Sequence, residues 1–336
     1  MSSLIRSVIG KLFGIAVALV LLALAVYASI VYGVISTNWR TAVDAYFHFN
    51  GSNEHIVIKE HRVPRALIAA AVGASLGIAG ALLQALTKNP LADLGLMGIN
   101  SGAGLAIVCG VTFFSVSSLS DYTWIAFLGS VASGIVVYVL GSAGKDGLSP
   151  LKVTLAGAAV TALASSMIHA LLLIDKRNME EVLFWLAGSV QGRKLELLLD
   201  VLPFMAAAWI GAIIVSGPVH TLLLGDDVAK GLGQRTLLVK AAAGLIIMTL
   251  CAASVAVAGP IAFIGLVTPH ICRTLIGNDI RWIIPYSAFV GAILLIAADI
   301  AGRFIAMPGE MPIGVMTALV GTPFFVYAAR KGWSKR

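Results

Sequence analysis

Six histidines, three cysteines and sixteen acidic residues are most of what this chain offers for metal binding, nucleophilic attack or proton transfer. Cys109, Cys251 and Cys272 fall in or beside apolar runs, without the C-x-x-C spacing of a metal site. An odd count gives no disulfide framework, and the three read as small buried hydrophobes. His169, His220 and His270 are scattered and no H-E-x-x-H occurs, so each reads as a packing residue rather than a ligand. Gly141-Ser142-Ala143-Gly144-Lys145-Asp146 is the nearest approach to a phosphate-binding loop. It lacks the G-x-x-x-x-G-K-[ST] spacing and the final hydroxyl that would hold magnesium. The expectation is a chain that binds no ATP, carries no cofactor or metal, and is not itself an enzyme. One charged pair lies within an apolar run: Asp299 and Arg303, four apart and therefore on one helical face. They could neutralise each other, or Asp299 could orient Arg303 toward an outside partner.

The elements that must position these residues are membrane helices. Hydrophobic residues make up 59% of the chain and charged residues 12%, with a mean hydropathy of +0.96. A soluble domain carries about 25% charge. About 20 apolar residues cross a bilayer, and ten such runs fit near residues 12–35, 64–86, 91–114, 122–142, 150–174, 197–216, 236–258, 261–277, 282–304 and 312–330. The eighth is short and carries Pro269, so a bent or partly re-entrant segment is expected, tolerable only where protein lines it. The first follows Arg6 and Lys11 but is too long for a signal-peptide core, and reads as a retained helix. Residues 1–336 thus read as one transmembrane domain, its bundle spanning 12–330, with lipid as an obligatory partner.

Basic residues orient the bundle. With both termini inside, fourteen Lys and Arg fall on the inner side and nine on the outer, which the positive-inside rule favours. The net charge of +7 is then a topology signal and calls for no nucleic-acid partner. Gly73, Gly77 and Gly80, and again Gly98 and Gly102, give helix faces on which backbones can approach closely. Whether these faces pack or slide is left open.

Two polar segments look organised. Residues 175–196 are too polar to span yet contain the apolar stretch Val182 to Ala187, which fits a helix at the outer surface with Trp185 at the lipid interface. On the inner side, 217–235 holds an apolar stripe of Leu222, Leu223, Leu224, Val228, Ala229 and Leu232, beside Asp226, Asp227 and Lys230. Gly225, Gly231 and Gly233 punctuate it. Such a stripe must be covered, by its own bundle or by a soluble partner.

Three blocks, in order, carry a resemblance: HRVPRALIAAAVGASLGIAGALLQALTKNPLADLGLMGINSGAG at 61–104, AGPIAFIGLVTPHICR at 258–273 and MPIGVMTALVGTPFF at 311–325. This wording resembles the FecCD-type permeases, membrane subunits of ATP-driven importers for iron-siderophore, haem and cobalamin. The resemblance implies an all-α polytopic bundle of about ten transmembrane helices built as inverted halves, in the cytoplasmic membrane. It implies three partners: ABC ATPase subunits, an extracytoplasmic substrate-binding protein, and a second permease subunit, identical or homologous. It places Arg62, Arg65 and Arg303 where family members meet acidic residues of the binding protein. Residues 217–235, with Leu222, Leu223, Leu224, Gly225, Asp226, Asp227, Val228, Leu232 and Gly233, match the ATPase-coupling element. Asn89, Pro90 and Leu91, with Gly144 and Lys145, fall where family loops narrow the cytoplasmic exit.

A ferric siderophore is the expected cargo, with haem or cobalamin as alternatives within the family. An ion-coupled secondary transporter is the less favoured class, because it would want ionisable groups at mid-membrane, and the crossings hold almost none.

Overall fold

In hydrocarbon every backbone N–H and C=O must be satisfied within its segment, so apolar runs of this length fold as helices. The computed structural model describes residues 5, 7–33, 38–114, 116, 118–143, 150–174, 179–307 and 309–333. In chain order the helices are α1 (Val8–Val31), α2 (Trp39–Phe47), α3 (Asn53–Ile56), α4 (Val63–Thr87), α5 (Ile99–Phe114), α6 (Leu119–Ser142), α7 (Pro150–Ile174), α8 (Met179–Leu186), α9 (Leu195–Leu223), α10 (Asp226–Gly231), α11 (Thr236–Ala258), α12 (Ile264–Ile276), α13 (Ile280–Ile305) and α14 (Ile313–Trp333). A π-helical turn, Val57–Arg62, fuses α3 and α4 into one helix of 35 residues. Among the described residues eight helices are long and apolar enough to cross a membrane, and α5 and α12 are shorter apolar helices; these ten helices fall on the ten apolar runs expected. The runs α4–α7 and α11–α14 repeat one order of long, short, long and long helices.

The sheltered centre is α4, packed against α13, α11, α12, α9 and α1. Its glycines explain how. A Cβ on Gly73 would overlap the backbone of Gly291, one on Gly77 the carbonyl of Ser287, and one on Gly80 the backbone of Gly265. These faces are therefore contacts between helix backbones, as small residues permit in lipid. Replacing Gly80 with Val should cost at least the ~1–3 kcal/mol of core overpacking. It should lower the thermal unfolding midpoint in detergent by several degrees, while Gly217→Ala, where a Cβ meets open space, leaves that midpoint in place.

Short α12 is only 13 residues long, about 20 Å at 1.5 Å per residue, and the irregular stretch 259–263 completes its crossing. That stretch is tolerated because protein surrounds it: Ser189 N–H donates to the Ala258 carbonyl at 2.8 Å, and Gly314 N–H to Gly188 at 3.0 Å. Inside α12, Pro269 has no N–H to offer the carbonyl four residues back. Buried Gln84 of α4 compensates, its Nε2 lying 3.4 Å from the Gly265 oxygen and 3.3 Å from that of Leu266.

Several expectations need correction. The third crossing is not helical from 91: a 3-10 turn, Leu94–Met97, and Gly98 at φ 74° precede α5. The sixth crossing does not stop at 216. Gly217 and Pro218 look like a terminus, yet α9 runs through them to Leu223, as membrane helices tolerate interior proline. The outer helix exists as α8, with 175–178 outside the described residues, but Trp185 is not an interfacial anchor. It is 2% exposed within the main core, because α8 lies on protein rather than on lipid. Finally, α2 and α3 fill a stretch the sequence left unassigned; Ala42 and Ala45 pack with Val31 and Ile58, while Phe47 and Tyr46 face outward.

Candidate functional site

The three arginines expected to meet a binding protein come together at one end of the bundle. Arg62 closes the π-helical turn, Arg65 sits in the first turn of α4, and Arg303 lies in the last turn of α13. Together with α1 they solve a local problem. The last carbonyls of a helix have no intrahelical partner, and at the end of α1 arginines supply one. Arg62 Nη1 donates to the carbonyls of Ile30 at 3.0 Å and Val31 at 2.8 Å. Arg303 Nη1 donates to those of Ser29 at 2.6 Å and Tyr32 at 2.7 Å, and Nη2 to the Ser29 hydroxyl at 2.8 Å. Cations at a helix C-terminus also complement its dipole.

Asp299 joins the group into one ionic network. It pairs with Arg303 on its own helix, and accepts from Arg65 Nε at 3.0 Å and Nη2 at 2.8 Å. Arg65 Nη1 reaches Glu310 at 2.6 Å. Arg62 and Arg303 are buried, whereas the Arg65 and Glu310 side chains retain 12% and 16% exposure. Of the expected docking trio, then, only Arg65 reaches the surface, and Glu310, which the sequence reading did not single out, shares it. No sequence signal pairs 310 with 65.

The segment expected to couple to an ATPase, residues 217–235, divides. Leu222, in the last turn of α9, is buried at 4% exposed, and Leu223, which ends the helix, packs against the main core. Gly225 at φ 126° then turns the chain into α10, and Gly233 at φ 79° releases it toward α11. Ala229 is buried, but Leu224, Val228 and Leu232 stand 64%, 49% and 69% exposed. The apolar stripe is therefore shorter than expected and shifted past Leu222 and Leu223, which α9 claims. Asp227 faces water, whereas Asp226 turns inward, pairing with Lys240 of α11 and lying 3.7 Å from Lys88 Nζ. The hydrogen bond from Lys240 holds the Asp226 carboxyl below its usual range. The small contribution of this partly exposed pair is present at neutral pH and lost as pH falls through that lowered value.

The inner turn lies beside it. Asn89 Oδ1 accepts from Leu91 N–H at 3.0 Å, the side-chain turn that Pro90 and Asn89 favour. Gln84 Nε2 lies 3.4 Å from the Ala92 carbonyl, and Gln84 Oε1 accepts from Arg273 Nη1 at 2.6 Å. The turn faces the start of α7 across a cavity of about 310 Å³ that Asn89, Leu91, Leu151 and Thr154 help line. Gly144 and Lys145, the other half of the expected gate, lie outside the described residues.

The remaining chemistry-bearing side chains stay apart. His220 lies 3.6 Å from Asp279, the His270 and Phe324 rings meet edge to face, and His169 Nδ1 is 2.6 Å from the Ser165 carbonyl. Asp279 caps α13, and its hydrogen bond with Arg281 lowers its pKa. Among the described residues no three His, Cys, Asp or Glu side chains gather as a metal site. The string Gly73-Ala74-Ser75-Leu76-Gly77 has the letters of a nucleophile elbow, which requires a strand-to-helix turn. Here it lies within α4, and buried Ser75 accepts from Trp209 Nε1 at 3.0 Å.

A family model described as the FecCD transport family matches residues 21–331. A Bacillus subtilis protein named "Probable siderophore transport system permease protein YfiZ" is 51% identical over 312 residues, covering 93% of this chain and 94% of its own. The Fe(3+)-citrate import system permease protein YfmD of the same organism is 45% identical over 286 residues, 85% of each chain. Among solved structures, a metal-chelate type ABC transporter in an inward-facing conformation superposes with a TM-score of 0.82 at 26% identity. That match covers 97% of this chain and 100% of the other.

Proposed function

The chain belongs to the FecCD transport family, and on that premise we propose that it is the permease subunit of an ABC importer carrying a ferric siderophore across the cytoplasmic membrane. It forms the path with a second permease subunit, is fed by an extracytoplasmic binding protein, and is driven by ATP hydrolysed on separate ATPase subunits. One observation supports ATP drive above ion coupling: Leu224, Val228 and Leu232 stand exposed on a short segment beyond the end of a crossing. An apolar patch in water needs a protein to cover it, and the family's motor subunit is that protein.

The residues then take these roles. The 217–235 segment seats in the ATPase, chiefly through α10 and its flanks. The Asn89–Leu91 turn, with the link that holds Gly144 and Lys145, narrows the inner exit. The outer end of α4 and α13 receives the binding protein, with Arg65 presenting charge while Arg62 and Arg303 hold the platform in place. Both termini lie in the cytoplasm, following the excess of basic residues on that side.

Reconstitution with the ATPase and binding protein in liposomes tests the function. Uptake of radioactive iron as a ferric hydroxamate, catecholate or citrate should require ATP. Uptake driven by a proton or sodium gradient without ATP would overturn the proposal, and ATP-dependent uptake of haemin or cobalamin alone would reassign the cargo. Docking has its own test. Arg65→Glu should weaken binding-protein affinity by at least tenfold at low salt, as for a charge-assisted contact worth about 1.4 kcal/mol or more. The deficit should shrink at physiological salt, where screening sets in over about 8 Å. Equal affinity in both salts would remove Arg65 from the docking surface.

A further inference from the structure

We propose that Asp226 links the coupling segment mechanically to the inner turn, so that movement of α10 on the ATPase is delivered to Asn89–Leu91. This rests on the seating of α10 proposed above and adds to it a residue that faces away from the motor.

Three observations carry the inference. First, the two acidic residues that open α10 differ. Asp227 faces water, but Asp226 turns back onto its own chain, where its carboxylate bridges Lys240 in α11 and Lys88 at the end of α4. Segments some 140 residues apart in the chain are joined through one side chain. Second, Lys88 caps α4 immediately before Asn89, so a pull on its side chain acts directly on the turn. It adopts a left-handed conformation at φ 51°, one of two non-glycine residues with positive φ among those described. Strained backbone of this kind persists only where its surroundings hold it, and it tends to mark switch regions. Third, there is room to move. A cavity of about 110 Å³ lies beside the end of α4, lined there by Leu83, Leu86 and Thr87 and, from α11, by Lys240 and Gly244. A helix end beside empty space can shift without displacing packed side chains.

Partly exposed ion pairs such as these add little to stability. Their value here is directional. Asp226 draws two cations from different helices onto the segment that the motor grips, and Lys240 fixes where α11 stands relative to it. When α10 moves, Lys88 follows or the attraction is lost.

The test uses the permease assembled with its ATPase subunits in lipid nanodiscs. Cys109, Cys251 and Cys272 are replaced by Ser, and a nitroxide is attached after Leu91→Cys. In the parent, the spectrum should change between the nucleotide-free complex and the complex trapped with ATP and vanadate. Asp226→Asn should lose most of that change with the ATPase still bound, and Asp226→Glu should restore it. A full nucleotide-dependent change in Asp226→Asn would overturn the inference, as would a parent spectrum that does not respond to nucleotide. So would loss of the ATPase from Asp226→Asn, which would make Asp226 a seating residue. Failure of the seating itself is read separately, from Val228→Asp with Leu232→Asp, which carry no part of the bridge.

Discussion

Replacing Asp299 with Ala is expected to destabilise the folded protein by about 3–5 kcal/mol, the cost of leaving buried charge without its partner. Asp299 is 2% exposed and receives Arg65 through two nitrogens and Arg303 through a third. Without it, two guanidinium groups would face each other out of water, and Glu310 could answer only Arg65. The end of α1 would loosen too, since Arg303 positions its carbonyls. Unfolding of the detergent-solubilised permease, followed by tryptophan fluorescence against denaturant, measures the loss. Asp299→Asn should recover part of it, because its amide oxygen can still accept from a guanidinium while Arg303 goes on capping α1. An Asp299→Ala protein that unfolds at the parent midpoint would show that the network carries no weight.

Val228→Asp with Leu232→Asp should release the ATPase while leaving membrane insertion intact. Both side chains are exposed in the isolated permease, at 49% and 69%, so the change costs the bundle little. If both are buried under the motor, each adds roughly 1–2 kcal/mol, because only about half to two thirds of the area behind the ~1.5–3 kcal/mol of full side-chain burial is still exposed. Their joint loss is then roughly 2–4 kcal/mol, on the order of 10 to 10³ in affinity. The measurement is recovery of ATPase on tagged permease, alongside ATP-dependent iron uptake. A fully assembled complex with normal uptake would take the coupling role away from α10.

The crossings were legible because hydropathy is a property of local composition, and ten apolar runs became ten helices within a few residues at most ends. Legibility failed where two environments ask for the same pattern. An amphipathic helix looks alike whether its apolar side meets lipid or protein, so Trp185 could be placed in α8 but not known to be buried. The arginines could be collected at the outer end, yet their direction depends on the carbonyls of α1, which no spacing in the sequence announces. The sixth run ends near 216 in the sequence reading, where Gly217 and Pro218 follow; α9 continues through them, and that continuation moves Leu222 and Leu223 from the expected coupling stripe into the bundle. Short α2 was passed over because nine residues with mixed polarity give too little periodicity to read.

The arginine-capped end of α1 has a consequence for biosynthesis. A ribosome releases α1 first, yet the groups that complete its outer end come from Arg62, some thirty residues later, and Arg303, near the other end of the chain. Until α13 has entered the bilayer, interfacial water must stand in for Arg303 at the Ser29 and Tyr32 carbonyls. α1 is therefore completed only after α13 arrives, and a chain interrupted before residue 303 would leave its end held by Arg62 alone. Final docking of α1 thus reports that synthesis has passed through α13.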